Sequence, residues 1–189
     1  MMLDPLIKSI ESARTREKNL GIKKRKVVHL TPKGSKLNHE KVKELSKESG
    51  LILLASRYEG VDERLSNWID EEISIGDFVT SGGELPAMLL MDALIRQIPG
   101  VLNDIESANQ DSFVNGLLDH PSFTRPESVR GLKVPDILLS GDHEKIRIWR
   151  LKESLKETKL KRPDLLINKS LTNEESRLLK EIEDEQEQD

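Results

Sequence analysis

Two short apolar runs constrain the fold of this chain more than any other feature of its sequence. Val27–Leu30 and Leu51–Ala55 lack the alternating polarity of a half-exposed strand, which is typical of strands covered on both faces of a parallel sheet. Helical spacing of apolar residues precedes each run, after Asp4–Pro5 and from Asn38 to Ser49. The order helix, strand, helix, strand predicts an α/β fold built around a parallel sheet.

The middle of the chain contains a further strand-like stretch and a strongly apolar helix. Ile73–Thr80 has strand composition interrupted by glycine, and Pro86–Ile98 is apolar enough that both faces of the helix are expected to be buried. Weak periodicity and frequent turn residues follow, which favours an irregular linker with a functional role. We therefore predict an α/β domain over residues 1–102, a linker over 103–135 and a small helical C-terminal domain over 136–189.

The C-terminal part is predicted to be helical and unevenly charged. A long helix over Asp142–Leu160 is rich in Lys and Arg, and Thr172 with Glu175 three residues later forms a capping box that begins a final helix. The acidic end, Glu181–Asp189, is expected to be frayed and solvated.

Composition excludes several classes of function. The 189 residues include no cysteine, which rules out disulfide partners, thiol catalysis and cysteine-ligated metals and favours a cytoplasmic location. No apolar run approaches the roughly 18 residues of a membrane span. The four histidines, at positions 29, 39, 120 and 143, lack metal-ligand spacing, and no metal site is predicted. Aromatic residues make up only 3%, so any RNA binding must rest mainly on charge and shape.

Two glycine-bearing segments stand at the ends of predicted strands. Ser74–Asp77 and Ser81–Glu84 place three glycines within eight positions, and glycine lets a backbone approach a ligand closely. Neither segment matches a dinucleotide-binding or P-loop pattern. Spacing alone favours tight turns in a compact sheet over a ligand site.

Single charged residues offer further candidates, each with an ordinary alternative. Asp111 is a candidate general base, although spacing alone favours a loop aspartate or helix cap. Arg96, on the apolar helix, needs an anionic partner, which is either a structural carboxylate or a substrate. The run Asp70–Glu72 fits a solvated face better than a Mg²⁺ site. The cations of Arg147–Arg162 suit either phosphate contact or a solvated face paired with glutamates of the same helix.

Read in order, longer motifs resemble the bacterial tRNA (guanine-N1)-methyltransferase family over nearly the whole chain. The most specific of them are Arg57–Arg64, Ile69–Val79 and Ser81–Met88. Further matching motifs are Ile98–Leu102, Asp111–Phe113, Gly116–Asp119, Phe123–Pro126, Leu138–Gly141 and Ile148–Arg150.

The resemblance implies a homodimeric enzyme of the SPOUT class that uses S-adenosylmethionine to methylate N1 of the guanine immediately 3′ of the anticodon in tRNA. It implies a deep trefoil knot that holds the cofactor, which is an exception to the rule that chains do not thread loops. The cofactor contacts it implies are His29, Leu30, Pro32, Ser56, Tyr58, Glu59, Gly60, Ser74, Ile75, Gly76, Asp77, Phe78, Val79, Thr80, Gly82, Gly83 and Pro86.

The resemblance also assigns roles to the two charged candidates. Asp111 matches the family's general base, supplied by the other subunit, and Arg96 matches an arginine near the reacting guanine. N1 of guanine must lose its proton before it attacks the methyl group, and a cation offsets the charge that develops on O6. The target base must also leave its stack.

Three departures from the family pattern stand out. Ser56 occupies a usual glycine position and Thr80 a usual leucine position. Family members begin with a strand, a helix and a glycine-rich loop before the segment that matches Met2–Leu6, so a shortened member is expected. The alternative is a truncated or inactive member that binds cofactor or RNA without turnover. A generic α/β nucleotide-binding protein is disfavoured because no phosphate loop is present.

Overall fold

The computed structural model describes residues 1–21, 23–57, 60–101, 111–167 and 169–186. The chain forms two compact units, Met1–Ile105 and Glu106–Asp189. Residues 111–135, which the sequence analysis assigns to a linker, belong to the second unit, because Leu117 is buried in that unit's core. The rest of the predicted linker, 103–110, lies outside the described residues.

The first unit is a parallel sheet flanked by helices. Its elements are α1 Leu3–Asn19, β1 Lys26–Lys36, α2 His39–Leu45, β2 Leu51–Ala55, a 3-10 helix Glu63–Trp68, β3 Glu71–Ser74 and α3 Glu84–Ile95. The strand order is β2-β1-β3, and β1 pairs in parallel with both neighbours. The predicted α/β class and parallel sheet are therefore observed.

Both faces of the sheet are covered, as the apolar runs require. Val28, Ile73 and Leu90 belong to a core between the sheet and the helices α2 and α3. Val27 belongs to a second core that includes Leu65 of the 3-10 helix and residues of α1. Because adjacent residues of a strand point to opposite faces, Val27 and Val28 are buried in different cores.

An irregularity in β1 sets the shape of one edge of the sheet. Leu30 and Ser35 both pair with Ile73, so the intervening residues 31–34 leave the regular ladder. Gly34 lies against the backbone of Glu72 and Ile73, where a Cβ would collide with main-chain atoms. The absence of a side chain at Gly34 therefore allows β1 to rejoin β3 after this excursion.

Two predictions for this unit are wrong. The predicted strand Ile73–Thr80 ends at Ser74, because the chain turns at Gly76, which has a φ of +152°. The apolar helix buries only one face. Pro86, Ala87 and Leu90 are buried on α3, whereas large apolar side chains of the same helix are exposed, among them Leu85, Met88, Leu89, Met91 and Ile95.

The second unit is mainly helical. Its elements are a short antiparallel pair β4 Ser128–Val129 and β5 Leu132–Lys133, followed by α4 Asp136–Leu139, α5 His143–Lys161, α6 Pro163–Ile167 and α7 Asn173–Gln186. Leu117, Leu155, Leu178 and Ile182 form its core. The predicted capping box is confirmed: the Glu175 carboxylate accepts from the Thr172 backbone N–H at 2.8 Å, and the Glu175 N–H donates to Thr172 Oγ1 at 3.1 Å.

The acidic end of the chain was expected to be frayed from Glu181, but the helix α7 continues as far as Gln186. Carboxylates of α7 pair with cations of α5. Lys152 pairs with Glu185 at 2.6 Å and Lys159 with Glu183 at 2.9 Å. The neighbouring ammonium of Lys152 lowers the pKa of the Glu185 carboxyl from its usual value of 4.5. The helix α5 carries seven Lys and Arg and three Glu, whereas α7 carries six acidic and two basic residues, so their charges complement each other.

Among the described residues, none of the helices combines the length and the apolar composition that a bilayer crossing requires.

Candidate active site

A cavity of about 410 Å³ lies at the carboxyl edge of the parallel sheet. Open α/β sheets usually bind ligands at this edge, beyond the ends of the strands. The cavity walls come from the ends of β1, β2 and β3, the segment 74–83 and the start of α3. The lining residues are His29, Leu30, Thr31, Pro32, Lys33, Ser56, Gly60, Val61, Glu63, Glu72, Ile73, Ser74, Ile75, Phe78, Val79, Thr80, Gly82, Gly83 and Pro86.

His29 connects the three strands at the base of this cavity. The residue is only 3% exposed, and Nδ1 lies 3.0 Å from Glu72 Oε1 while Nε2 lies 3.0 Å from Ser56 Oγ. In the neutral ring, Nδ1–H donates to the carboxylate and Nε2 accepts from the serine hydroxyl. The imidazole thereby satisfies both nitrogens and fixes the side chains of Ser56 and Glu72 at the cavity wall.

Local hydrogen bonds shape the segment 74–83, which forms part of the cavity wall. The buried Ser74 hydroxyl donates to the Gly76 carbonyl at 2.9 Å and accepts from the Gly76 N–H at 3.2 Å. Thr80 Oγ1 donates to the Gly82 carbonyl at 2.8 Å. Because these hydroxyls satisfy main-chain groups within the segment, the turn holds its form without a regular ladder.

Gly83 joins this segment to the end of β2. Its N–H donates to the Ser56 carbonyl at 2.7 Å, and a Cβ at Gly83 would stand 2.8 Å from Ala55 Cα and 2.8 Å from the Ser56 nitrogen. Main chain therefore packs directly on main chain at this point, and only glycine allows that approach.

An exposed ion pair closes the rim near Gly82. Arg57 Nε donates to Glu84 Oε1, and Arg57 forms an isolated antiparallel bridge with Gly82. The guanidinium of Arg57 lowers the pKa of the Glu84 carboxyl from its usual value of 4.5.

The structure brings most of the predicted cofactor contacts together around this cavity. The ones that line it are His29, Leu30, Pro32, Ser56, Gly60, Ser74, Ile75, Phe78, Val79, Thr80, Gly82, Gly83 and Pro86. Gly76 and Asp77 do not line it: Gly76 forms the turn, and the Asp77 carboxylate pairs with Lys36. Tyr58 and Glu59 lie outside the described residues.

Sequence reasoning missed the acidic wall of the cavity, which includes Glu63 and Glu72. The run Asp70–Glu72 is neither a uniformly solvated face nor a shared metal site. Asp70 accepts from the Val27 N–H at 2.7 Å, Glu71 pairs with Lys41 at 2.8 Å, and Glu72 contacts His29. His29 was the sequence feature that could have indicated this wall, since a polar residue within a buried apolar strand needs a hydrogen-bond partner nearby.

Arg96 lies in the first unit, at the C-cap of α3, and it is exposed rather than on a buried face as the sequence suggested. Its backbone N–H donates to the Asp92 carbonyl at 3.2 Å. The position at the end of the helix gives the side chain access to solvent.

Asp111 lies in the second unit, at the start of a tightly held loop. Phe113 has a φ of +73°, which is uncommon for a residue other than glycine, and its N–H donates to the Leu117 carbonyl at 2.6 Å. Thr158, buried on α5, anchors the loop because its hydroxyl accepts from the Leu118 N–H at 2.9 Å. A strained conformation that its surroundings maintain is typical of functional loops.

The family model for "tRNA (Guanine-1)-methyltransferase TrmD" matches residues 1–168 of the chain. The chain belongs to this family. A protein of Methylobacillus flagellatus named tRNA (guanine-N(1)-)-methyltransferase is 58% identical over 187 residues, which is 98% of this chain and 71% of the relative. A protein of the same name from Chromobacterium violaceum is 56% identical over 187 residues, covering 98% of this chain and 73% of the relative.

Ser56 and Thr80, which the sequence analysis expects to depart from the family pattern, both form hydrogen bonds in this chain. Ser56 supplies the hydroxyl that His29 Nε2 accepts from, and Thr80 donates to the Gly82 carbonyl. A glycine at position 56 or a leucine at position 80 could form neither hydrogen bond.

The contrast between Gly83 and Gly82 yields the first prediction. We expect Gly83→Ala to lower the free energy of unfolding of the first unit by about 1–3 kcal/mol, because the new methyl group meets main-chain atoms that cannot turn aside. The measurement is urea denaturation followed by Trp68 fluorescence in a Trp149→Phe background, since Trp68 and Trp149 are the two tryptophans of the chain.

Gly82→Ala is the matched control, because the nearest atoms to its new methyl group belong to the flexible side chains of Glu84 and Arg57. We expect the control to cost less than about 1 kcal/mol, within the usual range for surface substitutions. Equal losses for the two variants would contradict the assignment of Gly83 as the obligatory backbone contact.

Proposed function

We propose that this chain transfers the methyl group of S-adenosylmethionine to N1 of the guanine immediately 3′ of the anticodon in tRNA. The observation that carries this proposal is the similarity, at 55–58% identity over 98% of the chain, to relatives named tRNA (guanine-N(1)-)-methyltransferase. Since its substrate is tRNA, we place the reaction in the cytoplasm.

The cavity at the sheet edge is the proposed cofactor site, and its chemistry fits S-adenosylmethionine. When bound, the cofactor supplies a methyl group on a cationic sulfonium. Glu63 and Glu72 give the cavity negative charge, and Lys33 gives it one cation for a carboxylate. Apolar side chains such as Ile73 and Pro86 suit an adenine ring, and a volume of about 410 Å³ is within the usual range for small-ligand sites.

We further propose that the segments around this cavity pass one another as the trefoil knot of the SPOUT class. The support lies in two places where main chain packs on main chain without an intervening side chain. Gly34 contacts the backbone of Glu72 and Ile73, and Gly83 contacts that of Ala55 and Ser56. Threaded segments need such close crossings.

For catalysis we propose that Asp111 accepts the N1 proton of guanine and that Arg96 offsets the negative charge that develops on O6. Removal of the proton gives N1 the electron pair with which it forms the bond to the methyl carbon. The fixed loop around Phe113 supports this role for Asp111, since a general base must be held in position. The second unit, with its helices α4 to α7, is proposed to contact the tRNA.

The exposed face of α3 supports a homodimer. Large apolar side chains on one surface helix, including Met88 and Leu89, form a patch of the kind that marks interfaces. In the dimer that we propose, each active site combines Arg96 of one subunit with the Asp111 supplied by the other.

Asp111→Asn tests the mechanism, because it preserves size and removes the base. We expect methyl transfer to a tRNA with guanine 3′ of the anticodon to fall by about 100-fold or more, while S-adenosylmethionine affinity changes little. Single-turnover rates with labelled cofactor, together with calorimetry, provide the two measurements. Asp184→Asn, an exposed carboxylate on α7, is the control and should keep the parental rate. A parental rate for Asp111→Asn would mean that another group takes the proton.

Met88→Glu combined with Leu89→Glu tests the dimer. Four like charges brought together in an apolar contact are unfavourable, so we expect a monomer at concentrations on the order of 20 µM, where an obligate dimer stays associated. Light scattering measures the mass, and methyl transfer should be lost together with the dimer. Lys8→Glu with Lys18→Glu, two changes on α1, is the control and should leave the mass that of a dimer. A parental chain that is monomeric at this concentration would overturn the proposed dimer.

A further inference from the structure

The second unit has a cavity of its own, of about 420 Å³, that the proposed chemistry does not use. Its apolar wall includes Val134, Leu138 and Ile146, which come from β5–α4 and α5. The polar wall is largely cationic or neutral: it includes Arg125, Arg150 and His120, with Glu127 as the carboxylate among the lining residues. A cavity with an apolar floor and convergent cations suits an organic anion.

The two arginines of this cavity differ from the cations of α5 that pair with carboxylates. Within the part of the chain that the structure describes, Arg125 and Arg150 take part in no ion pair, and Arg150 Nε is buried without a hydrogen-bond partner. A buried donor without an acceptor is unfavourable, because nothing replaces the hydrogen bond to water that the N–H group loses on burial. An anionic ligand in the cavity would supply that acceptor.

The other cations of Arg147–Arg162, for which the sequence analysis left phosphate contact open, pair by contrast with carboxylates. Arg147 pairs with Glu144 and Glu174, and Lys156 pairs with Glu153 at 3.3 Å. Lys152 and Lys159 pair with carboxylates of α7. A phosphate that bound to these side chains would first have to displace an acid, whereas Arg125 and Arg150 need no such exchange.

An aromatic ring completes the cavity. Phe123 lines it and remains 45% exposed, while the ring centroid lies 6.3 Å from that of Trp149 in a tilted arrangement. An accessible ring that neighbouring side chains hold in place offers a surface for a nucleobase, and stacking on aromatic side chains is a common mode of RNA binding. The guanidinium groups beside it suit a phosphate, to which arginine binds with two parallel hydrogen bonds.

We infer that this cavity binds one nucleotide of the RNA substrate, with the phosphate on Arg125 and Arg150 and the base on Phe123. The inference deepens the proposed function, since it takes RNA as the substrate, and it assigns the phosphate contact of this unit to the cavity rather than to the paired lysines of α5.

Trp149 provides a local reporter for the test. A Trp68→Phe variant of the full chain leaves Trp149 as the single tryptophan, and its emission is followed during titration with uridine 5′-monophosphate, uridine and inorganic phosphate. Uracil is neither the base that is methylated nor the base of the cofactor. We expect saturable quenching by the nucleotide, with an affinity at least about ten-fold higher than for either fragment, because stacking and phosphate contact add.

Variants assign the contacts. We expect Arg150→Gln and Arg125→Gln each to weaken uridine 5′-monophosphate binding by about ten-fold, in line with the loss of one charge-assisted contact. Phe123→Leu should weaken nucleotide binding and leave phosphate binding unchanged. Arg177→Gln removes the same charge from the exposed surface of α7 and should have no effect. Arg125 is exposed, so its variant keeps the test valid if Arg150→Gln fails to fold.

The same variants test whether the cavity contributes to tRNA binding. The logarithm of the tRNA binding constant is plotted against the logarithm of the salt concentration. Arg150→Gln should reduce the magnitude of the slope of this plot by about one, whereas Lys159→Gln should reduce it by less than about 0.5. The nucleotide titration does not require methyl transfer, so failure of the proposed function leaves its result unaffected. Absence of quenching by the nucleotide, or equal binding of phosphate alone, would overturn the inference.

Discussion

Direct contact of main chain with main chain at Gly83 and Gly34 is the constraint on which the first unit depends. At Gly83 the segment 74–83 reaches the end of β2, and at Gly34 the excursion of β1 returns to β3. Both contacts lie at the carboxyl edge of the sheet, where they hold the loops that wall the cavity. The hydrogen bonds of the buried His29 side chain add a second set of links between the same three strands. The contacts that join the three strands are therefore also the contacts that position the cavity walls.

The sequence predicted the sheet and the lining of the cavity better than the route of the chain around it. Two apolar runs suffice to indicate strands buried on both faces, because that pattern follows from burial alone. The end of β3 at Ser74 was not predictable from composition, since Ile75–Thr80 has strand propensity but a turn at Gly76 overrides it. The contact of His29 with Glu72 depends on strand register, which the order of residues along the chain does not reveal.

Charge illustrates the same limit in the second unit. The sequence shows a basic helix and an acidic end, and either can be solvated or bind a partner. The structure pairs them, so lysines of α5 such as Lys152 and Lys159 face α7. Partly exposed ion pairs of this kind each contribute little to the stability of the fold, but they determine which cations remain available to a ligand. That distinction separates the arginines of the second cavity from the paired cations of α5, and only three-dimensional contacts reveal it.

The central claim is that the cavity at the sheet edge is the binding site for S-adenosylmethionine. Hydrogen–deuterium exchange of the intact chain, with and without saturating S-adenosylhomocysteine, tests it most directly because exchange reports on each segment separately. We predict that the ligand slows exchange in residues 29–34 and 74–83 and leaves α5 and α7 unchanged. Unchanged exchange in both cavity segments under saturating ligand, or protection confined to the second unit, would contradict the account.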